Sequence, residues 1–262
     1  MNSLTKHIQQ WRSLPPLTAA QDQKLWRELR LQWNYHSNHI EGNTLTYGET
    51  ELLLIQGRTM GLHEMREYEE MKGHDVAIMH LRDLAAAPEP ITEADVRNLN
   101  RILLKEPFWK SAITPDGHDT RIQIFPGEYK TYPNNVRTVT GEIFHYASPQ
   151  ETPLLMGQLL MDFRQELEVA TDETLLPCLV RLHHRFSLIH PFDDGNGRVM
   201  RLLVNYGLLR KELPPLIIPT EEKQTYLRSL SAADAGDLSP FTSYLEGRAS
   251  TAILTALQLI QA

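Results

Sequence analysis

The chain has 262 residues, of which 41% are hydrophobic and 23% are charged, and its formal net charge at pH 7 is −7. This composition is typical of a globular protein, and the length allows one large domain or two small ones. An acidic chain without a dense run of lysine and arginine argues against a nucleic-acid partner, although a local basic pocket can still bind phosphate.

The cysteine content and the N-terminal sequence bear on where the protein works. The single cysteine, Cys178, cannot form an internal disulfide, which suits a reducing compartment. The N-terminus lacks the charged and then apolar pattern of a signal peptide, and no apolar run approaches the ~20 residues that cross a bilayer. We therefore expect a cytoplasmic protein with no membrane partner.

Apolar residues recur at three- and four-residue spacing along most of the chain, which predicts helices. Thr92 is a suitable N-cap for one of them, because it precedes an apolar stripe that starts at Val96. The other predicted helical segments are residues 25–33, 52–55, 77–84, 154–167, 175–189, 199–209, 221–233 and 241–257.

One region departs from the helical pattern. In residues 121–146, branched and polar side chains alternate around two turn sequences, which predicts a hairpin or an ordered flap. No internal repeat, low-complexity tract or long linker interrupts the chain. The predicted fold class is mainly α: one compact helical bundle with a short β-hairpin flap, in which helices of residues 1–90 pack on a core of residues 91–262.

The segment 190–201, HPFDDGNGRVMR, contains a histidine, two carboxylates, two glycines and two arginines. Pro191 disfavours helical geometry at His190, so the preceding helix should end there and present the imidazole from a turn. Gly195 and Gly197 then allow unusual backbone dihedrals just before another helix. A glycine-containing turn at a helix start exposes N–H groups that bind anions.

The charged side chains of this segment suit a phosphate ligand. Arg198 and Arg201 lie three residues apart, hence on one helix face, and their planar guanidinium groups match phosphate oxygens. Asp194 supplies a hard carboxylate that can hold Mg²⁺ against those phosphates. A neutral His190 near the phosphate can take the proton from an attacking hydroxyl. Each residue also has a structural explanation by itself, but the cluster indicates catalysis.

The segment resembles the signature of the Fic (filamentation induced by cyclic AMP) family, His-x-Phe-x-Asp/Glu-Gly-Asn-Gly-Arg-x-x-Arg, and every fixed position matches. The resemblance implies a Fic-type helical bundle whose catalytic core lies in residues 91–262. It also implies a nucleotidyltransferase, a protein adenylyltransferase that transfers AMP from ATP to a protein hydroxyl side chain and releases pyrophosphate.

The resemblance implies a role for each signature residue. His190 would be the general base, Asp194 the Mg²⁺ ligand, Gly195, Asn196 and Gly197 the cradle of the α-phosphate, and Arg198 and Arg201 the ligands of the outer phosphates. For adenine and ribose, the resemblance points to Tyr226 and Asp234. Tyr226 is explained equally well as an aromatic side chain packed on a helix. Asp234 stands where some relatives have asparagine, which leaves the preference for ATP open.

The partners that the resemblance implies are ATP and an unidentified target protein. In the family an extended hairpin aligns the target segment by strand pairing. The counterpart here is the flap of residues 131–141, which begins at Thr131 and ends at Gly141. Strand pairing is largely a backbone interaction, so the sequence does not identify the target. The oligomeric state also stays open, with a homodimer as one option.

A second motif precedes the signature. The sequence Ser37-Asn-His-Ile-Glu41-Gly42 matches the family's inhibitory pattern, Ser/Thr-x-x-x-Glu-Gly/Asn, in the N-terminal position typical of class II members. The resemblance implies that Glu41 pairs with Arg201 through a charge-assisted contact and keeps the resting enzyme slow. The motif is also explained as a helix end with Gly42 as C-cap, and both interpretations can hold together.

Three alternative functions stay open. A metal-dependent phosphohydrolase would draw its ligands from His183, His184, His190, Asp193 and Asp194, although a helix places His183 and His184 on different faces. A de-AMPylating hydrolase would use the same site to remove AMP from a protein. A nucleotide-sensing binding module would bind the nucleotide without productive catalysis.

Overall fold

The computed structural model describes residues 3–114, 117–137 and 143–261 of the chain. Helices dominate these residues and the strands are short, so the predicted mainly α fold is confirmed. The helices are α1 (Ser3–Arg12), α2 (Ala19–Ile40), α3 (Tyr47–Gln56), α4 (Met65–Ala86), α5 (Glu93–Leu104), α6 (Thr152–Val169), α7 (Leu175–Ile189), α8 (Asn196–Arg210), α9 (Lys223–Asp234) and α10 (Ser239–Gln261). The strands are β1 (Phe108–Ile113), β2 (Asp119–Ile124), β3 (Val136–Arg137) and β4 (Ile143–Phe144).

Local sequence signals explain where several helices begin. Thr18, Thr46 and Thr92 are N-caps whose side chains accept a hydrogen bond from the backbone N–H three residues further on, each within a capping box. The predicted role of Thr92 is therefore confirmed. Helix α1 lies outside the segments that the periodicity predicts, because it has few apolar side chains with which to bury a face, mainly Leu4 and Ile8.

The main hydrophobic core extends from Leu4 in α1 to Leu257 in α10, and a second, smaller cluster joins Leu53 of α3 to Tyr68 and Met71 of α4. Helix α8 packs against α2, α4, α5 and α7, and nearly all of its side chains are buried. Gly207 in α8 lets α7 approach closely, because a Cβ at this position would overlap the Leu179 side chain. Core residues lie on both sides of residue 90, and the domain boundary there stays a prediction. Within the described ranges, every helix is too short or too polar to cross a lipid bilayer.

Two antiparallel hairpins lie between α5 and α6. In the first, β1 pairs with β2 and Lys110 is opposite Ile122; in the second, β3 pairs with β4. The predicted hairpin region, residues 121–146, contains β3, β4 and most of β2 but misses β1. The reason is that the β1 sequence, FWKSAI, does not alternate between apolar and polar residues. Part of the predicted flap, residues 138–141, lies outside the described residues.

Candidate active site

The signature segment forms a turn between α7 and α8. Helix α7 ends at Ile189, and His190 follows as its C-cap in the left-handed conformation, with φ 49° and ψ 61°. Its N–H still donates to the Phe186 carbonyl at 2.9 Å. Gly195, at φ 79°, is the N-cap of α8, so the predicted helix end before Pro191 and the unusual backbone at Gly195 are confirmed. Gly197 differs from the prediction, because α8 begins at Asn196 and Gly197 lies in its first turn.

Three polar side chains hold the backbone of this turn. The Asn196 amide accepts from the Phe192 N–H at 2.9 Å and donates to the Phe192 carbonyl at 2.7 Å. Asn134 Nδ2 donates to the carbonyls of His190 and Phe192, each at 3.0 Å. Lys130, whose side chain is buried, donates from Nζ to the Ile189 carbonyl at 2.9 Å. These hydrogen bonds hold the backbone on both sides of His190, the residue that presents the imidazole.

The His190 imidazole stacks on the Tyr146 ring, with 4.1 Å between the ring centroids and 19° between the planes. Burial and the nearby Lys130 ammonium lower the pKa of His190 to about 4, against a smaller opposing contribution from Glu41. The imidazole is therefore neutral near pH 7, the form that can accept a proton.

The Asp194 carboxylate lies among cations at the end of the turn. Its Oδ1 accepts from Lys110 Nζ at 3.2 Å and from the Gly195 N–H at 2.9 Å, and its Oδ2 lies 3.5 Å from Arg66 NH2. Burial by itself would raise the pKa of Asp194, but Lys110 and Arg198 outweigh it, so the pKa lies below its ordinary value. The carboxylate is thus ionised at neutral pH.

An ionised carboxylate on this turn fits the predicted Mg²⁺ ligand, because Mg²⁺ is commonly held by one or two carboxylates together with substrate phosphates. In the part of the chain that the structure describes, no group of three or more His, Cys, Asp or Glu side chains forms a cage for a metal. Binding of Mg²⁺ at Asp194 stays a prediction.

Glu41 and Arg201 form an ion pair between α2 and α8. Glu41 is the C-cap of α2, and its Oε1 lies 2.7 Å from Arg201 NH2. The same guanidinium donates to the hydroxyl and the carbonyl of Ser37, at 3.0 and 2.9 Å. Burial by itself would raise the pKa of Glu41, but the charges of Arg201 and Arg198 outweigh it, so the pKa lies below its ordinary value. The motif is thus both a helix end and a charge partner of Arg201, although the C-cap is Glu41 and not the predicted Gly42, which follows it at φ 101°.

The Glu41 carboxylate also reaches the glycine turn. A Cβ on Gly197 would overlap Glu41 Oε1 and would lie 3.1 Å from Arg201 NH1. Glycine at this position therefore gives the carboxylate room beside the first turn of α8.

Arg198 also forms an ion pair with a glutamate. Its NH1 lies 3.2 Å from Glu70 Oε2 in α4 and 3.5 Å from Asn38 Oδ1, and only 3% of the residue is exposed. Arg66, one turn before Glu70, pairs with Glu70 at 2.9 Å and also with Asp194. Both signature arginines are therefore held by glutamates from helices that precede the signature by more than 100 residues.

The predicted adenine and ribose residues both lie in α9, and each hydrogen bonds to a histidine of α7. Tyr226 is 2% exposed, and its hydroxyl hydrogen bonds to His183 Nε2 at 2.8 Å, so the geometry favours the packing explanation over contact with a nucleotide. Asp234 ends α9 and accepts from His184 Nε2 at 3.1 Å. Because His183 and His184 face Tyr226 and Asp234 while His190 faces Tyr146, the three histidines do not converge as the phosphohydrolase alternative requires.

Several residues of the site are absent from the sequence-based prediction. They are Asn38, Arg66, Glu70, Asn100, Lys110, Lys130, Asn134 and Tyr146. Asn38 lies inside the predicted inhibitory motif and Asn134 inside the predicted flap, whereas Glu70 lies in a charged stretch of α4, MREYEEMKGHD, that gives no signal of burial. None of them belongs to a short motif that indicates its partner.

Residues 90–208 match the sequence profile of the Fic/DOC family. The fold is similar to the crystal structure of a Fic domain containing signaling protein from Bacteroides thetaiotaomicron, with a TM-score of 0.89 and 36% identity. The match covers 99% of this chain and 97% of that chain. The chain belongs to the Fic/DOC family.

This Fic chain is also similar to curated eukaryotic relatives. It is 29% identical over 234 residues to protein adenylyltransferase fic-1 of Caenorhabditis elegans, a match that covers 88% of this chain and 42% of the relative. It is 32% identical over 221 residues to protein adenylyltransferase Fic of Drosophila melanogaster, which covers 84% of this chain and 40% of the relative. The Fic chain thus spans about two fifths of the length of these relatives.

Proposed function

We propose that this Fic protein is a protein adenylyltransferase, an enzyme that transfers AMP from ATP to a hydroxyl side chain of a target protein. The observation that carries the proposal is the arrangement at the signature turn. A neutral His190 and an ionised Asp194 lie on the same turn between α7 and α8, and α8, with its two buried arginines, starts immediately after them. The names of the curated relatives, protein adenylyltransferases, support the same reaction.

The reaction requires a base and a set of cations around the phosphates. The hydroxyl oxygen of the target attacks the α-phosphorus, His190 Nε2 or Nδ1 takes the hydroxyl proton, and the bond from the α-phosphorus to the bridging oxygen breaks. Pyrophosphate leaves with the electron pair of that bond. The first N–H groups of α8 have no partners within the helix and suit the α-phosphate oxygens.

We infer that the enzyme uses Mg²⁺ and that Asp194 holds it. When bound, Mg²⁺ would neutralise charge on the phosphates. Arg198 and Arg201 would bind the outer phosphates through their planar guanidinium groups, as arginines commonly do. These roles divide the site into a base on one side of the α-phosphorus and cations around the leaving group.

The resting enzyme is autoinhibited in this proposal. Glu41 occupies Arg201 NH2 at 2.7 Å, so the outer phosphate of ATP loses a partner while that pair persists. ATP would then bind with its α-phosphorus displaced from the position in which in-line attack is possible. Catalysis fails in this arrangement even where nucleotide binding survives.

The flap supplies a surface on which a target segment could align. β3 and β4 form a short antiparallel pair, and Asn135 in the flap accepts from the N–H of Tyr146, whose ring stacks on His190. A target strand added beside this pair would bring a hydroxyl toward the imidazole through backbone hydrogen bonds. The target protein therefore needs an extended segment with an accessible hydroxyl.

The test is intact mass spectrometry of the Glu41→Gly variant incubated with Mg²⁺ and each of the four ribonucleoside triphosphates in turn. A mass increase of one AMP, absent from a matched Glu41→Gly/His190→Ala sample, supports the proposal. Release of inorganic phosphate or of AMP without a protein adduct supports hydrolysis instead. Bound and unchanged nucleotide on a protein that modifies neither itself nor any supplied acceptor supports a nucleotide sensor.

A further inference from the structure

One cation of the site comes from the first hairpin, which the sequence patterns did not connect with the signature. Lys110 lies in β1, and its Nζ lies 3.2 Å from Asp194 Oδ1. Its side chain is 47% exposed, so the ammonium stands at the solvent side of the carboxylate.

The position of the hairpin beside Asp194 is fixed by Asn100. The Asn100 amide donates to the Asp194 carbonyl at 2.9 Å and accepts from the Gly127 N–H at 2.8 Å, three residues after the end of β2. Arg97 donates to the Gly127 carbonyl at 2.7 Å, and Ile124 at the end of β2 is buried. One side chain of α5 therefore joins the base of the hairpin to the signature turn.

Strand geometry directs Lys110 to one face of this hairpin. Side chains alternate along a strand, so Lys110 and its cross-strand partner Ile122 share one face, whereas Ser111 and its partner Arg121 lie on the other. Arg121 is thus a cation on the same hairpin that does not share the Asp194 side, and it serves as a matched control.

Lys110 is held differently from the arginines of the site. Arg201 is bound by Ser37 and Glu41, and Arg66 pairs with Glu70 while its guanidinium carbon lies 3.1 Å from the Phe108 ring centroid. Lys110 instead reaches Asp194 from a flexible stem of four carbons that is half exposed. An ammonium on such a stem can exchange one anionic partner for another by side-chain rotation, without a change in the backbone.

We propose that Lys110 is a nucleotide-binding residue whose ammonium contacts the β- and γ-phosphates, the part of a nucleoside triphosphate that leaves as pyrophosphate. This inference rests on the proposed function for the identity of the leaving group. A triphosphate bound between Asp194 and the start of α8 competes with Asp194 for the ammonium. Lys110 then faces the oxygen that gains charge as the bond to the α-phosphorus breaks, and a cation placed there stabilises the transition state.

The test compares nucleotides that differ only in their outer phosphates. Calorimetric titration of ATP and AMP into the Glu41→Gly protein, with and without Lys110→Ala, measures the contribution of the side chain to each; excess chelator in every titration removes any effect that passes through Mg²⁺ on Asp194. Lys110→Ala should weaken ATP binding by roughly 10- to 100-fold, the usual effect of one charge-assisted hydrogen bond, and leave AMP binding unchanged. Lys110→Arg should restore most of the ATP affinity, and Arg121→Ala should alter neither nucleotide.

Two outcomes would overturn the inference. An equal loss of ATP and AMP affinity in Lys110→Ala would mean that the lysine only maintains the Asp194 carboxylate, and unchanged ATP affinity would mean that it does not touch the outer phosphates. The titration does not depend on transfer. If the Glu41→Gly protein transfers no AMP but needs Lys110 to bind ATP, the proposed function fails while the inference stands.

Discussion

Glu41 Oε1 lies 2.7 Å from Arg201 NH2, which joins the end of α2 to a residue of α8 that is 160 positions further along the chain. The pair is half enclosed: the arginine is buried, whereas about a third of the glutamate side chain, 34%, is exposed. Removing the carboxylate leaves the guanidinium on Ser37, so Arg201 stays in place for a phosphate. We therefore expect the pair to act as a reversible restraint.

The Glu41–Arg201 pair predicts opposite effects for its two members. Glu41→Gly should raise self-modification with AMP, because Arg201 becomes available to the outer phosphate. Arg201→Ala should lower it by roughly 10²-fold even in the Glu41→Gly background, since the arginine has its own role in charge stabilisation. The measurement is AMP incorporated by the parent, both single variants and the double variant at equal protein concentration. A Glu41→Gly protein no more active than the parent on any acceptor would leave the motif as a helix end only.

His190 is expected to contribute to the transition state and not to nucleotide binding. His190→Ala in the Glu41→Gly background should reduce transfer by roughly 10²- to 10⁴-fold, the usual contribution of a general base. ATP affinity should stay within several-fold, because the imidazole takes a proton only as the hydroxyl attacks. Transfer rates and calorimetric titration of the same two proteins check this. Retained transfer would remove His190 from the role of base.

The lowered pKa of His190 predicts an unusual pH profile. A base must be neutral, so transfer is present above its pKa and is lost as the pH falls through it. With a pKa of about 4, His190 should sustain kcat/KM through pH 6, where an ordinary histidine near 6.5 would be mostly protonated. Glu41 opposes the lowering, so the Glu41→Gly variant should keep its activity to still lower pH. Circular dichroism at each pH separates loss of the base from unfolding.

Asp194 is expected to make the activity depend on the metal. Asp194→Ala in the Glu41→Gly background should reduce Mg²⁺-dependent transfer, and excess chelator should silence the Glu41→Gly protein itself. Restoring Mg²⁺ should recover the activity of the Glu41→Gly protein but not that of the Asp194→Ala protein. Full transfer in the presence of chelator would exclude the metal from the mechanism.

Asn134 is expected to act through the backbone of the signature turn. Asn134→Ala removes the donor to the His190 and Phe192 carbonyls, which should lower the free energy of unfolding by about 1–3 kcal/mol. Transfer should fall further than stability, because the turn that presents the imidazole loses its fixed position. Urea unfolding and transfer rates of the variant provide the two numbers. A loss of stability with full transfer would show that Asn196 and Lys130 hold the turn without help.

Much of the site could be predicted from the sequence because its signals are local. Pro191 sets the end of α7, Gly195 begins α8, and Thr92 caps α5, and each acts within a few residues of its own position. Arg198 and Arg201 share a helix face simply because they are three residues apart. The pairing of Glu41 with Arg201 came from a resemblance between motifs and not from local chemistry.

The tertiary structure alone decided which distant side chains complete the site. Lys110 reaches Asp194 across 84 residues and Asn134 reaches His190 across 56, and both contacts depend on how a hairpin docks onto the bundle. The contact between Tyr226 and His183 also depends on how two elements pack. The periodicity of α9 indicates which of its faces is apolar but not which helix packs against that face. Helical spacing determines which face of an element is buried. The docking angle and register between elements, which arise from the packing of all the side chains together, determine which polar groups meet.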